Sequence, residues 1–122
     1  MLQDELVTYE VAKLAKEKGF NEPTYDYFIN GDKNRTGQSK HIYWHNEVCE
    51  DIAIPTQALL QRWLREKKFI DIEIYPIFIN GVRVYTACMY APNLNKPKKF
   101  NYFDTYELAL EDGLKYALEN LI

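Results

Sequence analysis

The chain is short of the residues that announce particular chemistries. Its five glycines form no G-x-S-x-G elbow, phosphate-binding loop or dinucleotide-type glycine run, so the hydrolase, P-loop and dinucleotide-binding signatures are all missing. No stretch approaches the ~18 consecutive apolar residues of a membrane span, and no basic-then-apolar leader opens the sequence, so a cytoplasmic protein without a membrane partner is expected. Two cysteines, Cys49 and Cys88, could form one bridge; without an export signal they read instead as two free, buried thiols. Positive charge is not in surplus either. Fifteen basic against 18 acidic residues give a formal charge of −3 and a pI near 5.4, which argues against holding nucleic acid by bulk electrostatics.

What is present suits a small packed domain. At 122 residues and 47% hydrophobic, the chain carries enough apolar material for one core, and a single domain over residues 1–122 is expected. Its organising stretch is residues 54–89. Leu59, Leu60, Trp63 and Leu64 recur at helical spacing, with Pro55 placed in the first turn, Thr56 as a hydroxyl cap, and Arg65, Lys67 and Lys68 at the negative end of the helix dipole. At Phe69 the period changes to two: Ile70, Ile72 and Ile74 share one face. Asn80–Gly81 then predicts a type I′ hairpin turn. Pairing outward from that turn puts Ile77 and Ile79 on the face opposite to Ile72 and Ile74. Because Pro76 cannot donate to a ladder, a β-bulge near Tyr75–Pro76 is expected to reconcile the two sets.

The flanks add further elements. Residues 1–6 read as a short lead-in. Thr8 caps a first helix with Val11, Leu14 and Ala15 as its stripe and Val7 as a staple; it ends at Gly19, with Phe20 folding back toward Ala15. Residues 24–29 (TYDYFI) read as a strand, the polar run to Ser39 as a loop, residues 41–45 (HIYWH) as a second short strand, and 46–53 as a connecting loop. Residues 100–103 are a third strand of the meander. Asp104 opens the last helix with Glu107 as a capping box and Phe103–Leu108 as a staple, and Leu110, Leu114, Ala117, Leu118 and Leu121 form its stripe. The fold class is therefore α+β. An antiparallel sheet, made of the central β-hairpin plus short N-terminal strands, packs against about three helices in the order α-β-β-α-β-β-(β)-α. The expected core holds Leu59, Leu60, Trp63, Leu64, Ile72, Ile74, Leu114 and Leu118.

Three segments together, VTYEVAKLAKEKGF, PTQALLQRWLREKK with its isoleucine-rich strand, and FDTYELALEDGLKYALENLI, resemble a family of small uncharacterised proteins. Members are found in phages, prophages and mobile elements of the Bacteroides group of gut bacteria. The resemblance covers both ends and the middle of the chain and matches poorly over residues 30–53. It brings no activity, cofactor or site residue with it. It implies a phage-type accessory protein acting inside a bacterial cell.

Function has to be weighed on few residues. His41, His45 and Cys49 are the one set with zinc-type donors. On a strand, however, a four-residue spacing separates two histidines by roughly 13 Å, so no metal or other cofactor is expected. A Cys–His hydrolytic pair from the same segment lacks an orienting third group and a pocket. A nucleic-acid module would use Tyr25, Tyr27, Phe28, Tyr43 and Trp44 as stacking surfaces, with Arg62, Arg65, Lys67 and Lys68 as a basic helix face and Lys96, Lys98 and Lys99 as a basic loop; the acidic balance weighs against it. The preferred expectation is a non-enzymatic accessory protein that works through protein–protein contact, a second copy of the chain being one candidate partner. Ten tyrosines in a small domain support this, because aromatic residues are enriched at interface cores. Tyr25, Tyr27, Tyr43 and Trp44 are the candidate contact residues.

Overall fold

The computed structural model describes residues 4–122, so the first three residues of the expected lead-in lie outside the described residues. The chain forms two compact units, Met1–Thr56 and Gln57–Ile122. The α+β class stands, but the single sheet expected is two. Three α-helices accompany six antiparallel strands among the described residues, with the N-terminal strands in one three-stranded sheet and the central hairpin in another.

In the first unit, helix α1 (Tyr9–Glu17) starts where Thr8 Oγ1 accepts from the Val11 amide at 3.3 Å. It stops as the sequence indicates. Gly19 takes φ +93°, the Gly19 amide donates to the Lys16 carbonyl, and the Phe20 amide donates to the Ala15 carbonyl at 2.9 Å. Val11, Ala12 and Ala15 are buried, and Phe20 with them. Three strands follow: β1 (Thr24–Phe28), β2 (Thr36–Tyr43) and β3 (Ile52–Ile54), in the spatial order β2-β1-β3. The second strand thus begins well before His41 and ends before His45, which opens a single 3-10 turn, His45–Glu47. The expected loop over 46–53 contains that turn and most of β3. Ile52, Ala53 and Ile54 are buried on both faces, which leaves no alternation for periodicity to detect. Pro55 is buried beyond β3 and outside any helix; its carbonyl accepts from the Val7 amide at 3.1 Å, and Leu6 bridges to Thr56.

In the second unit, α2 (Gln57–Lys68) buries Leu60, Trp63 and Leu64, while Leu59 is half-buried. Strands β4 (Asp71–Ile79), β5 (Val82–Tyr90) and β6 (Lys98–Phe103) form a meander of order β4-β5-β6. Asn80 and Gly81 both have positive φ, +51° and +79°, as a type I′ turn requires. The bulge expected near Pro76 does not form. β4 and β5 pair without a break from Ile79↔Val82 to Asp71↔Tyr90. Proline is accommodated because Ile79↔Val82 closes a two-residue turn as a hydrogen-bonded pair. Counting back, position 76 is a non-bonded position whose missing N–H would point away from β5, at the sheet edge. The two isoleucine sets simply occupy opposite faces: Ile72 is buried, Ile74 and Ile77 are half-buried, and Ile79 is exposed.

The last helix, α3 (Tyr106–Asn120), is capped by Thr105, not Asp104: Thr105 Oγ1 accepts from the Leu108 amide at 3.1 Å. Shifted by one residue, Glu107 leaves the capping-box position, and Leu108 is exposed, so neither the box nor the staple forms. Leu110, Leu114 and Leu118 are buried as expected, Leu121 only partly. Beside them runs a stripe of small residues, Ala109, Gly113 and Ala117, all buried. That stripe lets α3 lie close on the sheet: a Cβ at Gly113 would stand 3.2 Å from Ile72 Cγ2 and 3.7 Å from Ala87 Cβ. Gln57 joins the two helices, its amide donating to the Glu107 carbonyl and to Glu111 Oε1, both at 2.9 Å.

Candidate functional site

The aromatic residues singled out from the sequence gather around an irregularity in the first sheet. β1 and β2 pair regularly at Phe28↔Thr36, Tyr27↔Gly37 and Asp26↔Gln38, and next at Thr24↔Tyr43. Tyr25 alone therefore faces residues 39–42, and β2 bulges away from its partner. Ser39 fills the gap in the ladder. Its Oγ lies 3.1 Å from the Tyr25 carbonyl, 2.6 Å from the His41 carbonyl and 3.1 Å from His45 Nε2. One hydroxyl carries one proton, so Ser39 donates to only one of these three partners, and the direction of the Ser39–His45 contact follows the imidazole tautomer.

His45 is the buried post behind the bulge, 5% exposed. Its ring stacks on Tyr27 at 4.1 Å and 9° and meets Tyr43 edge-on at 5.3 Å. Burial pushes its pKa below the ordinary 6.5, against the opposing pulls of Asp51, the Thr24 backbone and Asp26. Gly37 makes the stack possible: a Cβ there would come within 2.9 Å of Tyr27 Cζ. Asn46, next in the turn, ties the post to its surroundings by donating to the Phe20 carbonyl and accepting from the Ala53 amide, both at 2.7 Å. Every buried side-chain polar atom among the described residues has a hydrogen-bond partner. The Ser39–His45 contact is part of that satisfied network.

The bulge pushes its outer residues into solvent. Tyr25, Ile42, Tyr43 and Trp44 are between 46% and 51% exposed. Tyr25 stands on β1, while Ile42, Tyr43 and Trp44 lie on and just beyond the edge strand β2, whose outer side pairs with nothing among the described residues. Tyr27, the fourth candidate, is half-buried beneath His45 and supports these residues from behind. Lys33, Arg35 and Lys40 lie exposed along the same hairpin. No local pattern singles out Ile42, Ser39 or Gly37; the T-G-x-S spacing acquires meaning only when Tyr27 and His45 are seen to press on it.

The metal set is not assembled. His41 is exposed on the bulge, His45 is buried behind it, and Cys49 is exposed in the following loop. Among the described residues no three His, Cys, Asp or Glu side chains are grouped as a metal site needs. The basic helix face is also partly committed: Arg62 pairs with Glu66 at 2.7 Å, and the Lys68 ammonium lies over the Trp63 ring at 5.5 Å. No helix of the described residues is long and apolar enough to cross a membrane. Comparison with known protein families, with curated proteins and with solved structures found no match in any of the three.

Proposed function

We propose that the protein is a non-enzymatic accessory protein that holds an extended segment of a partner protein along β2. The observation that carries this is the exposure of Ile42, Tyr43 and Trp44 at an unpaired strand edge, with Tyr25 exposed on the neighbouring strand. An extended chain adds to such an edge through its main chain and seats alternate side chains against the aromatic residues. The resemblance of the chain's ends and middle to phage and mobile-element proteins supports an accessory role inside a bacterial cell.

Charge selects the kind of partner. Lys33, Arg35 and Lys40 on the hairpin favour a segment that alternates apolar and acidic residues. They disfavour a second copy, because antiparallel pairing of two β2 strands brings the two Lys40 ammonium groups toward each other. The test uses Trp44, one of two tryptophans and the exposed one, Trp63 being buried. An alternating apolar–acidic peptide should shift Trp44 emission to the blue with saturation, a basic peptide of the same pattern should not, and Trp44→Phe should abolish the response. Light scattering should show a monomer at high concentration. A dimer that Tyr43→Ser dissolves would put a second copy in the partner's place. Single-stranded oligonucleotides that shift Trp44 with a steep salt dependence would move the reading to nucleic acid.

A further inference from the structure

The second unit holds a groove that the protein-contact reading leaves unused. It is an open groove of about 270 Å³ between β6 and α3, lined by Lys98 from the strand and Lys115 from the helix. Lys99 stands at its rim, with its side chain on the opposite face of the strand. Its wall is an aromatic pair: Phe100 and Tyr116 meet edge to face with centroids 5.1 Å apart. The Lys98 ammonium sits over both rings, 5.8 Å from Phe100 and 5.3 Å from Tyr116. Asp112 and Glu119 complete the lining from α3.

We propose that this groove binds a mononucleotide-sized ligand, with a planar base against Tyr116 and Phe100 and a phosphate held by the lysines. Three features of the groove support that class. Its volume lies just under the usual range of ligand pockets, room for one nucleotide unit at most and not for a folded partner. Lysine is a strongly hydrated point charge with several rotatable donors, suited to phosphate oxygens and to an ammonium that must move. Lys98 can leave the ring faces as the base arrives and turn to the phosphate, so stacking and charge pairing are gained together. The two carboxylates are acceptors only, and they match the hydroxyl and amino donors of a sugar and base. A bare anion would use the lysines and leave both carboxylates opposed to it. The charge balance of the chain is consistent with this placement: the first unit has ten acidic and six basic residues, the second has eight acidic and nine basic.

The measurement is titration of the full-length isotope-labelled chain, followed by amide NMR shifts, with AMP, adenosine, inorganic phosphate and a short oligothymidylate as separate probes. AMP should shift the amides of Lys98, Lys99, Phe100, Lys115 and Tyr116, and should bind more tightly than adenosine or phosphate. Lys98 is exposed and faces the groove, so Lys98→Gln should keep the fold and weaken AMP by about tenfold, the loss of one charge-assisted contact. Absence of shifts with every probe overturns the proposal. So does phosphate binding as tightly as AMP, or AMP affinity unchanged in Lys98→Gln. An oligonucleotide that binds where AMP does not assigns the groove to a strand and likewise overturns it. These outcomes are read at β6 and α3 and are separate from the Trp44 response at β2.

Discussion

The two units are built by different means. The second is held mainly by regular pairing: nine consecutive cross-strand pairs join β4 to β5, and a helix with a small-residue stripe lies directly on them. Its register shifts only between β5 and β6, where Thr86 Oγ1 donates to the Phe100 carbonyl. The first is held by side chains that bond to distant backbone. Lys16 Nζ donates to the Cys49 and Asp51 carbonyls, Asp51 Oδ1 accepts from the Asn30 amide, Asn46 links Phe20 to Ala53, and Ser39 bridges a bulge. Regular elements satisfy their backbone locally or by ladder, whereas irregular ones need a partner supplied from elsewhere in the sequence. The contrast predicts that packing changes will be most damaging in the second unit and polar changes in the first.

The strongest challenge to that contrast is Gly113→Val. The added methyls must enter the 3.2 Å gap to Ile72 Cγ2, and overpacking of this kind costs about 2–3 kcal/mol. Hydrogen exchange should show β4, β5 and α3 losing protection. If protection is unchanged, the close approach of α3 is not a constraint. Asn46→Ala comes next, at about 2 kcal/mol, because it strips the Phe20 carbonyl and the Ala53 amide of their partner. The loss should fall on amides of the first unit and spare the second.

A smaller effect is expected from acid. The His45 pKa is lowered in the folded protein, so between that value and the ordinary 6.5 the unfolded chain binds more protons. Stability should be full above pH 6.5 and fall as pH drops through the window below it, and His45→Gln should flatten this dependence in urea unfolding at pH 7 and pH 5. A steeper loss in the variant would assign the effect to other groups. Smaller again is Phe69→Asn. Phe69 holds φ +58° with its ring 70% exposed, between α2 and β4. Asparagine tolerates that conformation better, and a gain of about 0.5 kcal/mol is expected in thermal unfolding.

The same contrast explains which parts of the fold the sequence discloses. Leu60, Trp63 and Leu64, the Asn80–Gly81 turn, and the Gly19–Phe20 stop each follow from a short-range rule, and all are found in place. Where two local signals compete, geometry chooses. Asp104 and Thr105 both offer a cap, and the extended backbone at Thr105 (φ −128°, ψ 155°) puts its hydroxyl on the Leu108 amide. Residues 30–53 were the least legible, because β3 is too short and too evenly buried to show a period, and Asn46, Asp51 and Ser39 act across distances that no local pattern records. Of the four candidate contact residues, Tyr43 is exposed on the edge strand, Trp44 just beyond it and Tyr25 on the central strand opposite the bulge, while Tyr27 is turned inward by the approach of His45 to the Gly37 side of the strand.

Pro76 has a consequence for how the protein behaves when crowded. The free margin of β4 would otherwise offer a growing fibril a row of alternating donors and acceptors. Residue 76 supplies no donor there, and the Ile72 carbonyl is already taken by Gln61 at 2.8 Å. With the exposed Phe78 and Ile79 close by, this margin is a place where stacking of copies would start if it were left open. Restoring the donor with Pro76→Val should therefore leave the monomer folded while shortening the lag before insoluble material forms on storage.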